Sequence, residues 1–265
     1  MIVLPFMIGA LPRRASGFAL SNYSGLKSWY DISQLPVLSD GAEVGGTQVL
    51  TDLSGAGRHM SHATASFRPK YYGNQVNGKP IIRFAHSSSQ RIYCSDAGMP
   101  TGAFTLVYVY KPTTDMANGQ YQWLGGWGKT GITGGEVVPY VGGVTSYGGN
   151  SLWGATQYGD SGPDWTGWTA NTKSCYNVWN VLLATRTGNT WVFWKSTTTS
   201  SKTRTMTMNL QLKGEYILGG WPVAGSYYMT GDVAEHAVWD RVLSGTEIAE
   251  VMTGLGAKYG ITINT

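Results

Sequence analysis

Two carboxylates near the C-terminus are the residues whose type and spacing come nearest to those of a hydrolase. Asp232 and Glu235 lie three residues apart in the stretch 229–240, whose pattern is typical of a β-strand. A retaining glycosidase needs two carboxyl groups about 5 Å apart, and on a strand this requires residues i and i+2 or i+4 on one face. A spacing of three predicts side chains on opposite faces. The pattern therefore favours a protein that is not an enzyme, and we predict no catalytic residue.

Other motifs that carry chemistry fail on their context. Residues 126–131 (GWGKTG) fit the spacing G-x-G-x-x-G, but Trp123 stands where a phosphate-binding loop needs Gly, and no strand–loop–helix unit follows. His59 and His62 lie three apart without a nearby acidic partner, which does not favour zinc. The sequence has no Gly-x-Ser-x-Gly nucleophile elbow. We therefore predict no metal site and no cofactor, with calcium as the one alternative left open below.

The composition argues against two broad classes of protein. The 265 residues include 37 Gly, 11 Trp and 16 Tyr, and only 13% of the residues are charged. A disordered chain would be poor in aromatic residues. The net charge of +4 comes from scattered basic residues, with Arg13-Arg14 as the only doublet, whereas nucleic-acid binding usually needs a dense basic stripe. We expect a folded β domain without a nucleic-acid partner.

The end of the chain carries the signals of a single short helix. Ser244 stands three residues before Glu247, the spacing of a capping box, and Gly260 is a natural stop. Apolar residues at i, i+3, i+4 and i+7 form one stripe between them: Ile248, Val251, Met252 and Leu255. Almost all of the chain before this helix has the patterns of strands and turns. Examples are the stretch 103–110, which is apolar on both faces, and the hairpin 178–195. These patterns predict an all-β sandwich closed by one C-terminal helix.

Four stretches of the chain resemble a known family. Residues 231–244 (GDVAEHAVWDRVLS), with Lys258-Tyr-Gly after them, resemble the C-terminal signature of concanavalin A-like (LamG-like) jelly-roll modules. Residues 26–31, 52–59 and 77–84 resemble the first strand, the Asp-x-Ser-Gly turn and the start of the next strand in that family. The resemblance covers residues 26–263. It implies a concanavalin A-like jelly-roll β-sandwich, a fold that carries lectins, glycosidases, adhesion modules and structural proteins of viruses and phages alike.

The resemblance also bears on the acidic residues. The glucanase branch of the family carries Glu-x-Asp-x-x-Glu, and this sequence lacks that motif. Glu235 matches an acidic position of non-catalytic members, which implies an inward carboxylate paired with an arginine such as Arg83 or Arg241. Calcium is common among the lectin relatives, and Asp31 and Asp52 could supply ligands. A calcium site needs several clustered oxygens, so we favour turn-forming roles for both.

The segment 121–168 is the most unusual part of the sequence, because glycines and large aromatic residues alternate along it. Aromatic faces can stack on sugar rings, and glycine lets a ligand approach the backbone. The alternative is that these residues pack in the core or against a neighbouring subunit, since Trp and Tyr are enriched at interfaces. The candidate ligand-binding residues are Trp127, Tyr147, Trp153, Tyr158, Trp165 and Trp168.

The first residues form an apolar run, 1–11, which is too short to span a bilayer. Its positive charges follow the apolar stretch, so it does not resemble a secretion signal. We predict an N-terminal docking arm and linker at 1–25 and a jelly-roll domain at 26–265. The residues expected to dock on a partner are Ile2, Val3, Leu4, Phe6, Met7 and Ile8. Cys94 and Cys175 either pair across the sandwich or remain free thiols.

These features together favour a non-catalytic structural or adhesion protein on the surface of a virus particle, of the bacteriophage capsid-decoration or fibre type. Its expected partners are other virion proteins, reached through the N-terminal arm, further copies of itself in a homo-oligomer, and cell-surface glycans; no membrane partner is expected. Two alternatives stay open. One is a stand-alone carbohydrate-binding, lectin-like protein, and the other is a divergent glycoside hydrolase.

Overall fold

The computed structural model describes residues 17–113, 120–128, 136–144, 149–156, 158–159, 162–163, 177–196, 201–205, 210, 212, 214–220 and 228–264. The early strands are β1 Leu26–Asp31, β2 Lys70–Val76, β3 Lys79–Phe84, β4 Ile92–Ser95 and β5 Phe104–Pro112. The middle strands are β6 Gln120–Trp123, β7 Gly125–Gly128, β8 Glu136–Val144, β9 Gly149–Thr156, β10 Tyr158–Gly159 and β11 Gly162–Pro163. The last elements are β12 Asn180–Thr187, β13 Thr190–Lys195, β14 Lys202–Thr205, β15 Glu215–Leu218, β16 Gly231–Trp239 and the helix α1 Gly245–Tyr259.

Within the described residues the strands form two large antiparallel sheets, and β10 and β11 form a separate two-stranded pair. The larger sheet has the order β14-β13-β12-β5-β16-β3-β2, with β1 also paired to β16. The smaller sheet has the order β4-β15-β7-β8-β6, with β9 paired to β8. The predicted hairpin is β12–β13, and the predicted central strand is β5, which lies between β12 and β16. The prediction of an all-β sandwich with one C-terminal helix is confirmed.

Two apolar clusters hold these layers together. The first lies between the two sheets and includes Tyr108, Leu182 and Val238. The second lies between the outer face of the larger sheet and α1, and includes Val109 and Trp239. Burial of apolar surface on both faces of one sheet explains why the middle of β5, residues 106–110, is apolar on both faces rather than alternating.

The helix begins and ends where the sequence predicts. The Ser244 side chain accepts a hydrogen bond from Glu247 N (3.3 Å), and the Glu247 carboxylate accepts one from Ser244 N (2.7 Å). Gly260 ends the helix with a left-handed φ of 65°. The predicted apolar stripe is buried against the larger sheet: Ile248, Val251, Met252 and Leu255. In the described part of the chain, no helix is both long and apolar enough to cross a membrane.

Residues 17–25 pack on the domain that follows them. Leu20 is fully buried and Tyr23 is almost so, and both belong to the cluster beneath α1. The Phe18 ring lies so close to Gly254 that a Cβ there would be 2.3 Å from it. The predicted boundary between residues 25 and 26 stays a prediction. The docking residues Ile2, Val3, Leu4, Phe6, Met7 and Ile8 lie outside the described residues.

A β-bulge in β16 overturns one prediction from the sequence. The pairing with β5 shifts between Val233 and Glu235, so that two residues of β16 face one residue of its neighbour. Alternation therefore breaks at Ala234, and Glu235 turns to the face that bears α1. Asp232 lies on that same face, because its neighbour Val233 points into the core between the sheets. The prediction that the two carboxylates lie on opposite faces is wrong.

Candidate functional site

A cleft of about 580 Å³ opens at one end of the sandwich. Its walls are the turn 56–59, the edge strand β4 and the start of β15. The larger or polar side chains that line it are Arg58, His59, Tyr93, Cys94, Ser95 and Glu215. The volume lies within the usual range of pockets for small ligands.

Asp52 shapes the first wall of this cleft. Its carboxylate accepts hydrogen bonds from the backbone N–H groups of Trp29 (3.0 Å), Ser54 (2.9 Å) and Arg58 (2.9 Å). The Ser54 hydroxyl donates a further one at 2.9 Å. The Asp-x-Ser-Gly sequence thus folds into a turn whose carboxylate is occupied by donors. This supports a turn-forming role for Asp52 rather than a role as a calcium ligand.

Asp31 is occupied in the same way. It accepts hydrogen bonds from the backbone N–H of Ser33 (3.0 Å) and from the Ser33 hydroxyl (2.6 Å), and its second oxygen lies 2.6 Å from Lys258 Nζ. Among the described residues, no group of three or more His, Cys, Asp or Glu side chains is placed to hold a metal ion.

His59 presents a hydrogen-bond donor to the cleft. The backbone N–H of Asp52 donates to His59 Nδ1 at 3.1 Å, so Nδ1 is the acceptor of a neutral imidazole. The ring hydrogen must then lie on Nε2. The side chain is exposed, which leaves Nε2–H available to a ligand.

Arg58 braces two walls of the cleft. Nη1 donates to the carbonyl of Lys27 and Nη2 to the carbonyl of Ala97, each at 2.8 Å. The adjacent Gly98 has a φ of +75°, and a Cβ there would be 2.7 Å from Nη2. A side chain at this position would therefore push the guanidinium out of place.

Cys94 lines the cleft as an inert thiol. Its sulfur lies 3.7 Å from the Tyr30 hydroxyl, which donates to the carbonyl of Arg58 at 2.6 Å. Burial raises the pKa of Cys94 to about 11. The thiol is thus protonated at neutral pH, and a thiol is a poor nucleophile compared with the thiolate. Cys94 is a free cysteine, and Cys175 lies outside the described residues.

The two carboxylates of β16 lie away from the cleft, and both are occupied. Asp232 is fully buried between Arg83, at 2.6 and 3.0 Å, and Lys111, at 3.2 Å. Glu235 is also buried, and it accepts hydrogen bonds from Trp29 Nε1 at 2.7 Å and Tyr259 OH at 2.8 Å.

The cation that pairs with Glu235 is Lys258, at 2.6 Å. The expectation of an inward carboxylate is confirmed, but the expected arginine partner is wrong. Arg83 pairs with Asp232, and Arg241 pairs with Glu247 at 2.7 Å on the surface. Lys258 stands in the Lys-Tyr-Gly stretch at the helix end. The resemblance thus included Lys258, but nothing in the sequence indicated that it pairs with Glu235.

Trp127 is a core residue. It is 2% exposed, its Nε1 donates to the carbonyl of Pro100 at 2.9 Å, and its ring meets Phe104 and Tyr216 edge-on. This corrects the prediction that Trp127 belongs to a ligand surface, because a buried ring offers no face to a sugar. The remaining candidates lie outside the described side chains: Tyr147, Trp153, Tyr158, Trp165 and Trp168.

Sequence reasoning missed the cleft itself. Arg58 and His59 belong to the recognised turn, so their position beside its Asp was visible in the sequence. Tyr93 and Glu215 come from distant strands that meet because β15 pairs with β4, Glu215 facing Ser95. No local pattern signals such a pairing.

Comparison with known proteins finds solved structures with a similar fold. No protein-family model matches the sequence, and no curated protein matches it. Several solved structures do match. Domain 4 of AbnA, a GH43 extracellular arabinanase from Geobacillus stearothermophilus in complex with arabinotriose, has a TM-score of 0.56 at 12% identity, over 86% of this chain and 98% of that one. The shared feature is the β-sandwich fold.

Two whole enzymes contain a similar domain. A GH54 α-L-arabinofuranosidase matches with a TM-score of 0.55 at 13% identity, over 80% of this chain and 50% of that one. Trypanosoma rangeli sialidase in complex with sialic acid matches with a TM-score of 0.52 at 14% identity, over 91% of this chain and 34% of that one. This chain thus spans about half of the first enzyme and about a third of the second.

Proposed function

We propose that this protein binds carbohydrate in the cleft between the turn 56–59 and β4, and that it does so without cleaving its ligand. The observation that carries the proposal is the mixture of groups lining one pocket-sized cleft. Tyr93 supplies a half-buried aromatic ring, His59 an N–H donor and Glu215 an acceptor. Saccharides alternate C–H surface with hydroxyl groups, and such a combination suits both.

Two further observations support this function. The similar arabinanase domain was solved with arabinotriose and matches over nearly its whole length, so the likeness is to a domain of comparable size. On the chemical side, the acidic groups of β16 are tied to cations, and the thiol in the cleft is protonated at neutral pH. Neither set is arranged for nucleophilic or acid–base chemistry.

Replacement of Tyr93 tests the site. On a glycan array that includes arabino-oligosaccharides, we expect the parent protein to bind at least one saccharide and the variant Tyr93→Ala to bind it about tenfold more weakly, because ring stacking is lost. Tyr72→Ala is the matched control, since Tyr72 is a half-buried tyrosine of the other sheet that stacks with Arg83. Equal binding by the parent and Tyr93→Ala would place the ligand elsewhere. Release of reducing sugar by the parent would contradict the non-catalytic part of the proposal.

We further propose that this binding serves the surface of a virus particle, of the phage decoration or fibre type, with the apolar run 1–11 docking on virion proteins or on other copies of the chain. The support is the sequence: a Gly- and aromatic-rich β domain follows the apolar run 1–11. The stand-alone lectin is the competing proposal, and it predicts a monomer.

Removal of residues 1–16 separates these two proposals. The cut must fall before Phe18 and Leu20, because both pack beneath α1. We expect the shortened chain to keep the thermal midpoint of the full chain and to lose its self-association, as measured by analytical ultracentrifugation. A full-length chain that sediments as a monomer would support the stand-alone lectin.

A further inference from the structure

The charged groups around the cleft are mostly acidic among the described residues. Glu215 lies exposed on the rim. Asp52 and Asp96 are buried directly behind the walls, where Asp52 holds the turn and Asp96 accepts a hydrogen bond from Gly214 N at 3.0 Å. Among the described residues that line the cleft, Arg58 is the one cation. His59 is held as the Nε2–H tautomer of a neutral ring.

The guanidinium of Arg58 already serves to hold the cleft walls together. A carboxylate or sulfate is bound best by two parallel N–H groups of one edge. Nη1 and Nη2 already donate to the carbonyls of Lys27 and Ala97, and Nε is buried without a partner. Both terminal nitrogens are thus held by carbonyls of the protein, and a ligand anion must compete with these bonds for the guanidinium.

The electrostatic field of the buried carboxylates Asp52 and Asp96 extends into the cleft. Burial is the main cause of the raised pKa of Cys94, and Arg58 opposes it, but Asp52 and Asp96 raise that pKa further. The Cys94 sulfur thus lies within the field of both carboxylates. Charges that act across a wall of low dielectric are screened less than charges in solution.

From this arrangement we infer that the cleft selects uncharged saccharides and rejects those that carry a carboxylate or a sulfate group. The inference rests on the proposed carbohydrate binding and narrows its ligand class. An acidic sugar would add a negative charge beside Glu215, Asp52 and Asp96, and the guanidinium of Arg58 that could pair with it is already bonded to two carbonyls. An uncharged sugar can accept from His59 and donate to Glu215 without this repulsion.

The test compares matched pairs of glycans on one array: lactose with sialyllactose, and neutral xylo-oligosaccharides with the same chains carrying glucuronic acid. We expect each uncharged member to bind about tenfold more tightly than its acidic partner. In Glu215→Gln the ratio should fall about threefold, because the amide removes one charge and keeps the shape. Glu250→Gln is the matched control: it removes the same charge from α1, where Tyr23 OH can still donate to the new side chain, and the ratio should not change.

The outcomes separate the inference from the function on which it rests. Acidic members that bind as tightly as their uncharged partners, or more tightly, would overturn the inference and leave carbohydrate binding standing. An unchanged ratio in Glu215→Gln would also overturn it, because the selection would then not come from charge at the rim. Absence of binding to every glycan would overturn the proposed function, and the inference with it.

Discussion

Replacing Lys258 with methionine is expected to lower the free energy of unfolding by about 3–5 kcal/mol. Lys258 Nζ lies 2.6 Å from both Asp31 and Glu235, whose side chains are 3% and 1% exposed. Without the ammonium group, two carboxylates remain buried side by side beneath the helix end. Burial already raises the pKa of Glu235 with the lysine present. Loss of the ammonium charge would leave Asp31 and Glu235 with hydrogen-bond donors but without the cation that both contact.

Urea denaturation at neutral pH measures this effect. Lys70→Met is the matched control, because Lys70 pairs with Glu43 at 3.0 Å with both side chains about one third exposed, and we expect a loss of less than about 1 kcal/mol. The double variant Lys258→Met with Glu235→Gln should recover part of the loss, since one of the two buried charges is then gone. A Lys258→Met protein within about 1 kcal/mol of the parent would contradict the prediction that the two buried carboxylates depend on this cation.

Acid is expected to destabilise the protein steeply because of His236. The ring is buried and neutral in the folded state: Nδ1–H donates to the carbonyl of Val107 at 2.8 Å, and Nε2 accepts from the Tyr216 hydroxyl. Burial lowers the pKa of His236 from 6.5 to about 3. The unfolded chain therefore binds a proton below pH 6.5, whereas the folded protein does not until about pH 3.

The sign and window follow from that difference. The stabilising contribution of neutral His236 is complete above pH 6.5 and is lost as the pH falls toward 3. Each pH unit in this window removes about 1.4 kcal/mol, so the loss near pH 4.5 is about 3 kcal/mol. Unfolding free energies measured in urea between pH 4 and pH 7, for the parent and for His236→Gln, test this prediction.

Comparing the pH profiles of the parent and His236→Gln separates the effect of His236 on stability from the effects of the carboxylates. The hydrogen bond from Arg241 lowers the pKa of Glu247 to about 2, which also makes the folded state less stable in acid, but this contribution is present in both proteins. The His236→Gln protein should start less stable at pH 7 and lose stability more slowly as the pH falls. Parallel pH profiles for the two proteins would refute the assignment of a neutral buried ring.

Local features were readable in the sequence because their partners lie within a few residues. The capping box joins Ser244 to Glu247, and the Asn77-Gly78 turn needs only its own two positive φ angles, 46° and 74°. The Asp52 turn closes within seven residues, as Asp52 and His59 show. In each case the physical cause is a hydrogen bond or a backbone conformation that the residue types themselves favour.

The bulge in β16 could not be read in this way. An extra residue at Ala234 becomes visible only when β16 pairs with β5, because the sequence alternation by itself favours a regular strand. Because of this shift, Asp232 and Glu235 lie on the same face of the sheet, whereas a regular strand would place them on opposite faces. It also places Glu235 next to Lys258, which lies in the last turn of α1. The pattern of the strand alone does not indicate this contact.

What the sequence by itself determined, then, is the class of fold, the helix and its caps, and the turns, since these depend on periodicity and on contacts between near neighbours. Only the tertiary structure decided that Trp127 is buried, that Lys258 rather than an arginine neutralises Glu235, and that Tyr93 and Glu215 meet Arg58 and His59 in a cleft. These results depend on which strands become neighbours and in which register. That choice is made by the burial of the whole apolar surface, and no short stretch of residues records it.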